Sequence, residues 1–467
     1  PILLFAQPNT AEKSRRGGGA PVFQRPSHSR QSERLAPKMT ALQSTVATIK
    51  QSPMGIEAEK TLVFDVVGDA ESFYTAVKNL GSDAEWIFDM PQDFDASDDF
   101  YITKKDKDTD EVHRDIGKDV IGGKVYCVLS NVRAMEEMLT LWNRYSNDKD
   151  TPFPRGKTGL RDVFDSLENI SFWGYQQRVQ ETGILNIWEE ELQDATLDDV
   201  KCEFELFFRS DPQKRSNNEQ TLKNEIAAFG GTVLSSSIIP EIAYHAVLAS
   251  IPRAVAEKII NGDKNVSIVT AEQIMFFRPV GQAVVMPKDN SFDGAFQIPS
   301  SENLITEPII AMFDGLPQEN HPYLQGRLII DDPDSYTTNY IIEARKHGTS
   351  MASIIALGDL SKVEYAATHK IYVRPIMKPT QWGSDYFEQI PDDSLLVDKI
   401  HIAVRRLFEE KAGRVAPTVK VINLSIGLSY RQFDRTMSPL ARLLDWLSWK
   451  YKVLFVVSAG NHSKSME

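Results

Sequence analysis

The alternation of apolar and polar positions predicts regular elements from residue 61 onward. Runs of β-branched and apolar residues between polar stretches are typical of strands, and apolar residues three and four positions apart are typical of helices. These patterns predict strands at residues 61–67, 85–88 and 124–129, and helices at residues 71–80 and 132–145. This order indicates a small α+β sandwich over residues 56–150.

A second group of elements follows in the order β-α-β-β-α-β, which is that of a ferredoxin-like module. The pattern predicts strands at residues 202–209, 232–238, 243–250 and 266–269, and helices at residues 217–229 and 253–260. The module is therefore expected over residues 201–280. Together with the sandwich it would form a structural repeat without visible sequence identity.

Three stretches outside these modules lack regular alternation. Residues 1–38 mix glycine, proline and basic residues with little periodicity, which predicts an extended basic arm. A short helix over residues 39–50 is expected to follow, so that arm and helix make up residues 1–55. Residues 151–200 are predicted to be a helical connector, and residues 281–305, which are rich in turn-forming residues, a linker.

Beyond the linker the pattern changes to short apolar runs that are typical of parallel strands buried on both faces. The runs lie at residues 308–313, 419–425 and 452–457, and helices are predicted at residues 397–411 and 440–450. Strands that alternate with helices indicate an α/β fold with a doubly wound parallel sheet. In such a fold the ligand site lies beyond the carboxyl ends of the strands.

Charge and composition argue against several classes of function. The chain has 52 Lys and Arg against 65 Asp and Glu, whereas a surface that follows nucleic-acid phosphates needs an excess of basic residues. No apolar run approaches the roughly 18 residues of a membrane-spanning helix, and the first residues lack the pattern of a signal peptide. Two cysteines, Cys127 and Cys202, are expected to be buried free thiols. A cytoplasmic protein without nucleic-acid or membrane partners is expected.

Two polar residues stand where catalytic chemistry is expected. Asp314 follows a predicted buried strand directly, at the sheet edge where an α/β enzyme would hold an imidazole. His347 opens an apolar helical stretch whose first turn is kept slim by Gly348 and Thr349. Each has a structural alternative when read alone, because an aspartate after a strand is often a turn or cap residue and a lone histidine is more often structural.

The combination of these boxes resembles the subtilase family of serine peptidases. An aspartate box at residues 309–315, a histidine box at 347–352, a central strand at 421–427 and an oxyanion box at 456–462 occur in the order of that family. The resemblance implies that residues 306–467 are a partial catalytic domain with an incomplete subtilisin-like sheet. The ferredoxin-like module before it then resembles a subtilase propeptide.

The resemblance also implies residue roles. Asp314 would orient His347, His347 would act as general base and acid, and Asn461 would donate to the oxyanion. Ser425 and Gly427 would line the substrate cleft and bind an extended peptide or protein substrate. No cofactor or metal site is predicted.

Ser350 lies in a stretch that spells the serine box of the family almost letter for letter. It directly follows His347, however, and stands where the histidine box belongs, so it is not interpreted as the nucleophile. The serine is expected several tens of residues beyond the oxyanion box. The chain is therefore interpreted as a truncated and inactive portion of a serine endopeptidase, with an open sheet edge.

Two readings of the whole remain at this point. Residues 3–19 and 26–43 resemble the openings of large intracellular bacterial subtilases, some of which are paired with AAA-type ATPases, so the resemblance implies a regulated peptidase with such a partner. The alternative is a non-catalytic protein-binding or regulatory module built on a degenerate subtilase.

Overall fold

The structure is a computed structural model that describes residues 23–51, 58–105, 112–115, 117–180, 182–281, 300–359, 366–383, 385–427 and 437–458. The chain divides into two compact units, one ending at Gln177 and the other beginning at Arg178. Across the described ranges, no helix combines the length and the apolar character needed to cross a membrane.

The first unit is built around an antiparallel sheet. Its strands are β1 (Phe23–Gln24), β2 (Glu59–Val67), β3 (Ala84–Asp95), β4 (Tyr101–Lys105), β5 (Val112–Arg114), β6 (Val120–Asn131) and β7 (Leu167–Phe172). Its helices are α1 (His28–Lys50), α2 (Ser72–Lys78), α3 (Val132–Asn147) and α4 (Gly159–Ser166), and α5 (Tyr175–Gln180) follows at the boundary. The main sheet has the order β3-β6-β2-β7, and β1, β4 and β5 form a small second sheet.

Helix α1 is longer than the sequence pattern predicts. It begins at His28, with Ser27 as N-cap, so the expected extended arm is wrong from His28 to Lys38. Four apolar side chains spaced three and four residues apart bury themselves in the core of the first unit: Leu35, Met39, Leu42 and Val46. Pro37 lies within this helix but is exposed, so core packing outweighs its unfavourable helix propensity.

The predicted helical connector contains a strand. β7 (Leu167–Phe172) pairs antiparallel with β2 and forms one edge of the main sheet, which corrects the prediction for this stretch. Its short mixed pattern gives no clear period, and only pairing with β2 decides its conformation.

The second unit begins with another antiparallel sheet, whose order is β11-β8-β10-β9. Its strands are β8 (Asp199–Leu206), β9 (Thr232–Ile239), β10 (Tyr244–Pro252) and β11 (Ile274–Pro279). Its helices are α6 (Ile184–Glu191), α7 (Pro212–Ala228), α8 (Arg253–Ile260) and α9 (Ser267–Thr270). From β8 to β11 the order is the predicted β-α-β-β-α-β, apart from one extra helical turn.

The last strand of this sheet lies further along the chain than predicted. The strand expected at residues 266–269 is wrong, because Ser267–Thr270 is one turn of helix. The edge strand is instead β11, which pairs with β8. A short apolar run can be either a buried strand or a buried helical turn, and its periodicity does not distinguish them.

A five-stranded parallel sheet forms the C-terminal part, and it fits the subtilase fold expected from the sequence boxes. Its strands are β12 (Ile310–Asp314), β13 (Leu328–Ile330), β14 (Ile371–Pro375), β17 (Val421–Leu424) and β18 (Leu454–Val457), in the order β13-β14-β12-β17-β18. Strands β15 (Lys378–Trp382) and β16 (Asp385–Gln389) pair as a separate hairpin. The helices are α10 (Lys346–Leu357), α11 (Leu396–Phe408) and α12 (Pro439–Tyr451).

Helices cover both faces of the parallel sheet. Met312 of β12 packs on the face that holds α10, whereas Ala311 and Phe313 pack on the face that holds α11 and α12. This alternation follows from the two-residue period of a strand. It explains why the central strand is apolar at nearly every position.

The antiparallel sheet of the second unit shares a hydrophobic core with α11 and α12. Tyr244, Ala246 and Leu248 of β10 belong to the same buried cluster as Val397, Val404 and Leu443. Glu203 and Glu205 of β8 lie on this same face of the sheet, because they pair directly with Leu248 and Ala246 of β10. One face of the antiparallel sheet is therefore buried against the parallel-sheet domain.

Candidate active site

Asp314 is the last residue of β12, the middle strand of the parallel sheet. Its side chain is completely buried. One carboxylate oxygen, Oδ1, accepts a hydrogen bond from the N–H of Gly315 at 2.7 Å. The carboxylate thus stands at the carboxyl edge of the sheet, where the sequence analysis places it.

His347 is the second residue of α10 and meets Asp314 at this edge. Its Nδ1 lies 2.6 Å from Oδ1 of Asp314, and 36% of its side-chain surface is exposed. Because Asp314 is an acceptor, it keeps the proton on Nδ1 and leaves Nε2 with a free lone pair. The pair is therefore oriented for proton transfer at Nε2.

The pKa values of the pair reflect this contact. The hydrogen bond to Asp314 raises the pKa of His347 above its ordinary value, against the opposing effect of burial. Burial raises the pKa of Asp314, and the hydrogen bond from His347 opposes that rise. The arrangement stabilises an imidazolium at His347.

Two glycines allow α10 to approach β12 this closely. A Cβ atom at Gly348 would lie 2.5 Å from the carbonyl oxygen of Gly315. A side chain at Gly315 would collide with Glu388, whose Oε1 would be 1.7 Å from the new Cβ. Both glycines of the sequence boxes are therefore needed for contact rather than for an unusual backbone conformation.

Ser425 and Gly427 follow β17, the strand next to β12. Since Phe313 pairs with Leu424, Asp314 and Ser425 leave their strands at the same edge. The Ser425 hydroxyl accepts a hydrogen bond from the side-chain amide of Asn423 at 3.0 Å. Asn461 lies outside the described residues, although the strand that leads to it, β18, is the parallel neighbour of β17.

Ser350 lies on α10 itself and is exposed, one helical turn after His347. In the described part of the chain, no hydrogen bond joins its hydroxyl to His347. Its placement on the helix of the histidine agrees with the sequence interpretation that it belongs to the histidine box.

One stretch of the chain contains the ordered boxes, the parallel sheet and the Asp314–His347 pair. Residues 306–467 match the model of the Subtilase family, Peptidase S8. The segment that matches this subtilase model contains the whole parallel sheet. A search of curated proteins finds no match to the chain.

Glu388 lies beside the Asp314–His347 pair, and the sequence pattern does not reveal it. It lies on β16 and is 5% exposed, and its Oε2 accepts hydrogen bonds from the backbone N–H groups of His347 at 2.6 Å and Gly348 at 3.0 Å. Burial raises its pKa to about 7. A single Glu in a hairpin carries no signal of its own, and the missing side chain at Gly315 is a hint only once Glu388 is seen beside it.

The described residues offer neither a metal-binding cluster nor a reactive thiol. Within the residues that the structure describes, no group of three or more His, Cys, Asp or Glu side chains is arranged to hold a metal ion. Cys127 and Cys202 are buried free thiols, which confirms the prediction from their apolar settings. Burial raises the pKa of both thiols, so neither is a ready nucleophile.

Proposed function

We propose that residues 306–467 are catalytic-domain sequence of a serine endopeptidase that hydrolyses peptide bonds by acyl transfer. The observation that carries this proposal is the 2.6 Å contact between Asp314 and His347 at the carboxyl edge of a parallel sheet. The match of the same residues to the Subtilase family supports it.

In the proposed reaction His347 removes the proton of the serine as the hydroxyl attacks the carbonyl carbon of the peptide. His347 then donates that proton to the leaving amine, and the acyl-enzyme is hydrolysed by water in a second step. Asp314 remains ionised and stabilises the imidazolium. Because Nδ1 is engaged by Asp314, all proton transfer passes through Nε2.

The other assigned residues complete the proposed cleft. Asn461 would donate its side-chain amide to the tetrahedral oxyanion, a contact whose loss in subtilisin lowers turnover by roughly 10²–10³. Ser425 and Gly427 would bind the backbone of an extended peptide beside the strand edge. Backbone pairing of this kind favours broad sequence tolerance over recognition of one side chain.

The nucleophile can be tested with a fluorophosphonate, which labels an activated serine. We expect the 467-residue chain to remain unlabelled, because none of its serines is assigned as the nucleophile. The protein made from its whole reading frame is expected to label, and His347→Ala and Asp314→Asn should abolish or strongly reduce labelling. Labelling of the 467-residue chain that disappears in Ser350→Ala would overturn the assignment of Ser350 to the histidine box.

We further propose that the module of β8 to β11 is a propeptide-like domain. Its support is the buried face that it shares with α11 and α12. Glu205, which is fully buried, lies 2.5 Å from Arg278 of the module and 2.5 Å from Arg442 of α12. Ser237 of the module also donates to Asp398 of α11 at 2.7 Å.

These contacts also favour the alternative of a regulatory protein, since a docked module can serve without catalysis. The two functions give different results with the whole reading frame. A peptidase is labelled by fluorophosphonate, and His347→Ala abolishes or strongly reduces the labelling. A purely regulatory protein is labelled neither as the parent nor as His347→Ala.

A further inference from the structure

Helix α10, which carries His347, lacks a cap of its own. The first N–H groups of a helix have no acceptor within it and are usually satisfied by the side chain of the N-cap residue. In α10 the N-cap residue is Arg345, and its side chain makes no capping hydrogen bond. The cap comes instead from Glu388, which lies about 40 residues further along the chain.

Glu388 caps two consecutive donors with one oxygen. Its Oε2 lies 2.6 Å from the backbone nitrogen of His347 and 3.0 Å from that of Gly348. A carboxylate at a helix N-terminus is also favoured by the helix dipole. The position of the catalytic histidine backbone is therefore tied to strand β16.

The carboxylate reaches this position through a space beside Asp314. Any side chain at Gly315 would overlap it, since a Cβ there would be 2.3 Å from the carboxyl carbon of Glu388. The buried carboxylates of Asp314 and Glu388 are thus close enough to influence each other. Their repulsion contributes to the raised pKa of Glu388, after burial, while the N–H of Gly348 opposes it.

Among the described residues, the titratable groups that interact with Glu388 come from three places in the fold. They are Asp314 at the end of β12, His347 on α10, and Tyr340 before α10. The Tyr340 hydroxyl donates to the carbonyl oxygen of Met377 at 2.9 Å, and burial raises its pKa, so it remains neutral. The negative charge of Glu388 contributes to the raised pKa of His347 in addition to Asp314.

We propose that Glu388 is a positioning residue for His347, holding the first turn of α10 in place and adding a second negative charge beside the imidazolium. A contribution of Glu388 to catalysis rests on the proposed peptidase function, whereas its capping of α10 and its effect on the pKa of His347 do not. Glu388 is buried and contacts the backbone of His347, so it acts through the histidine. As it loses its charge on acidification, the support of the imidazolium weakens.

The test separates the two parts of this role with two substitutions. Glu388→Gln keeps an oxygen acceptor for the N–H groups and removes the charge, whereas Glu388→Ala removes both. Asp385→Asn is the matched control, because Asp385 lies on the same strand and is exposed. The pKa of His347 is measured in the 467-residue chain by NMR with labelled histidine, and unfolding by urea is followed in parallel.

We expect the pKa of His347 to be lower in Glu388→Gln than in the parent and to be unchanged in Asp385→Asn. The part of the titration curve that comes from coupling to Glu388 should also disappear, whereas the coupling to Asp314 remains. Glu388→Ala should lower the pKa as well and should be less stable than Glu388→Gln. An unchanged pKa in Glu388→Gln would overturn the electrostatic role, and equal stability of the two variants would overturn the capping role.

A second measurement distinguishes failure of this inference from failure of the proposed function. Fluorophosphonate labelling of the protein from the whole reading frame requires neutral His347, so the labelling rate falls at low pH. In Glu388→Gln this fall should occur at a lower pH than in the parent. If the labelling rate falls at the same pH in the parent and in Glu388→Gln, the role of Glu388 is contradicted and the peptidase function is not. Failure of the parent to label at all would contradict the peptidase function, while the NMR result on His347 would still stand or fall by itself.

Discussion

At the scale of residues, the candidate site is a cluster of buried acidic groups around one imidazole. Asp314 and Glu388 both have raised pKa values because of burial, and His347 has a raised pKa because of its bond to Asp314. All three groups therefore bind protons more tightly in the folded protein than in the unfolded chain. By linkage, each contributes stability at low pH that is lost as the pH rises through its folded pKa.

This linkage predicts a measurable pH dependence from Glu388. Its pKa rises from 4.5 to about 7 on folding, so its contribution is fully present below about pH 4.5 and is lost above about pH 7. The difference amounts to roughly 3 kcal/mol in the free energy of unfolding. We expect Glu388→Gln to be less sensitive than the parent to a change from pH 5 to pH 8.

Hydrogen exchange of the α10 amides at the two pH values, corrected for the intrinsic rate, would measure this effect locally. Asp385→Asn serves as the control and should follow the parent. Identical pH dependence in the parent and Glu388→Gln would show that the carboxyl group is not perturbed in the folded state.

At the scale of elements, the contact between α10 and β12 determines where the histidine lies. The atoms that a side chain at Gly348 would meet belong to the backbone of Gly315 and Leu316, which cannot move without shifting β12. A larger residue in such a contact costs typically 1–3 kcal/mol, and a collision with backbone atoms that cannot move aside lies in the upper part of that range, about 2–3 kcal/mol. This outweighs the gain of about 1 kcal/mol that alanine offers over glycine in a helix.

Gly348→Ala is therefore expected to destabilise the second unit, by about 1–2 kcal/mol in urea unfolding. The matched control is Ser350→Ala on the same helix, where the side chain is exposed and the change should stay within about 0.5 kcal/mol. Wild-type stability of Gly348→Ala would mean that α10 can move away from β12 at little cost. In that case the close contact would not be what positions His347.

At the scale of the whole molecule, the second unit joins an antiparallel and a parallel sheet through a buried ionic contact. Glu205 has no exposed surface, and although burial opposes its ionisation, Arg278 and Arg442 hold its pKa below the ordinary value. Removing one of the two arginines costs roughly 1.5–3 kcal/mol, because Glu205 then keeps only one charged hydrogen-bond partner. The two parts of this unit are therefore expected to unfold together.

Arg442→Met tests this contact between the two sheets. We expect it to lower the free energy of unfolding by roughly 1.5–3 kcal/mol, since Glu205 keeps Arg278 as its one charged partner. Glu205→Gln combined with Arg442→Met should recover part of the loss. Arg414→Met is the control, because its pair with Glu410 is exposed and of the kind worth at most about 1 kcal/mol. Similar effects of Arg442→Met and Arg414→Met would show that the buried cluster does not couple the sheets.

The local pattern of the sequence was sufficient for the strands that are continuous apolar runs. It predicted β12, β17 and β18 because strands buried on both faces need continuous apolar runs. It failed at β7 and at Ser267–Thr270, where short runs fit more than one conformation and pairing with distant strands decides. It also missed the first part of α1, whose buried face depends on the core of its unit.

The sequence placed Asp314 at the carboxyl end of a parallel strand, where a ligand site lies, and the resemblance of its boxes to the Subtilase family implied that His347 meets it there. Only the tertiary structure decided that Glu388 joins them, since no periodicity constrains which hairpin residue reaches a helix 40 positions earlier. It likewise decided that Glu203 and Glu205 are buried. Alternation places both residues on one face of β8. That face is buried only because α11 and α12 of the parallel-sheet part pack against it.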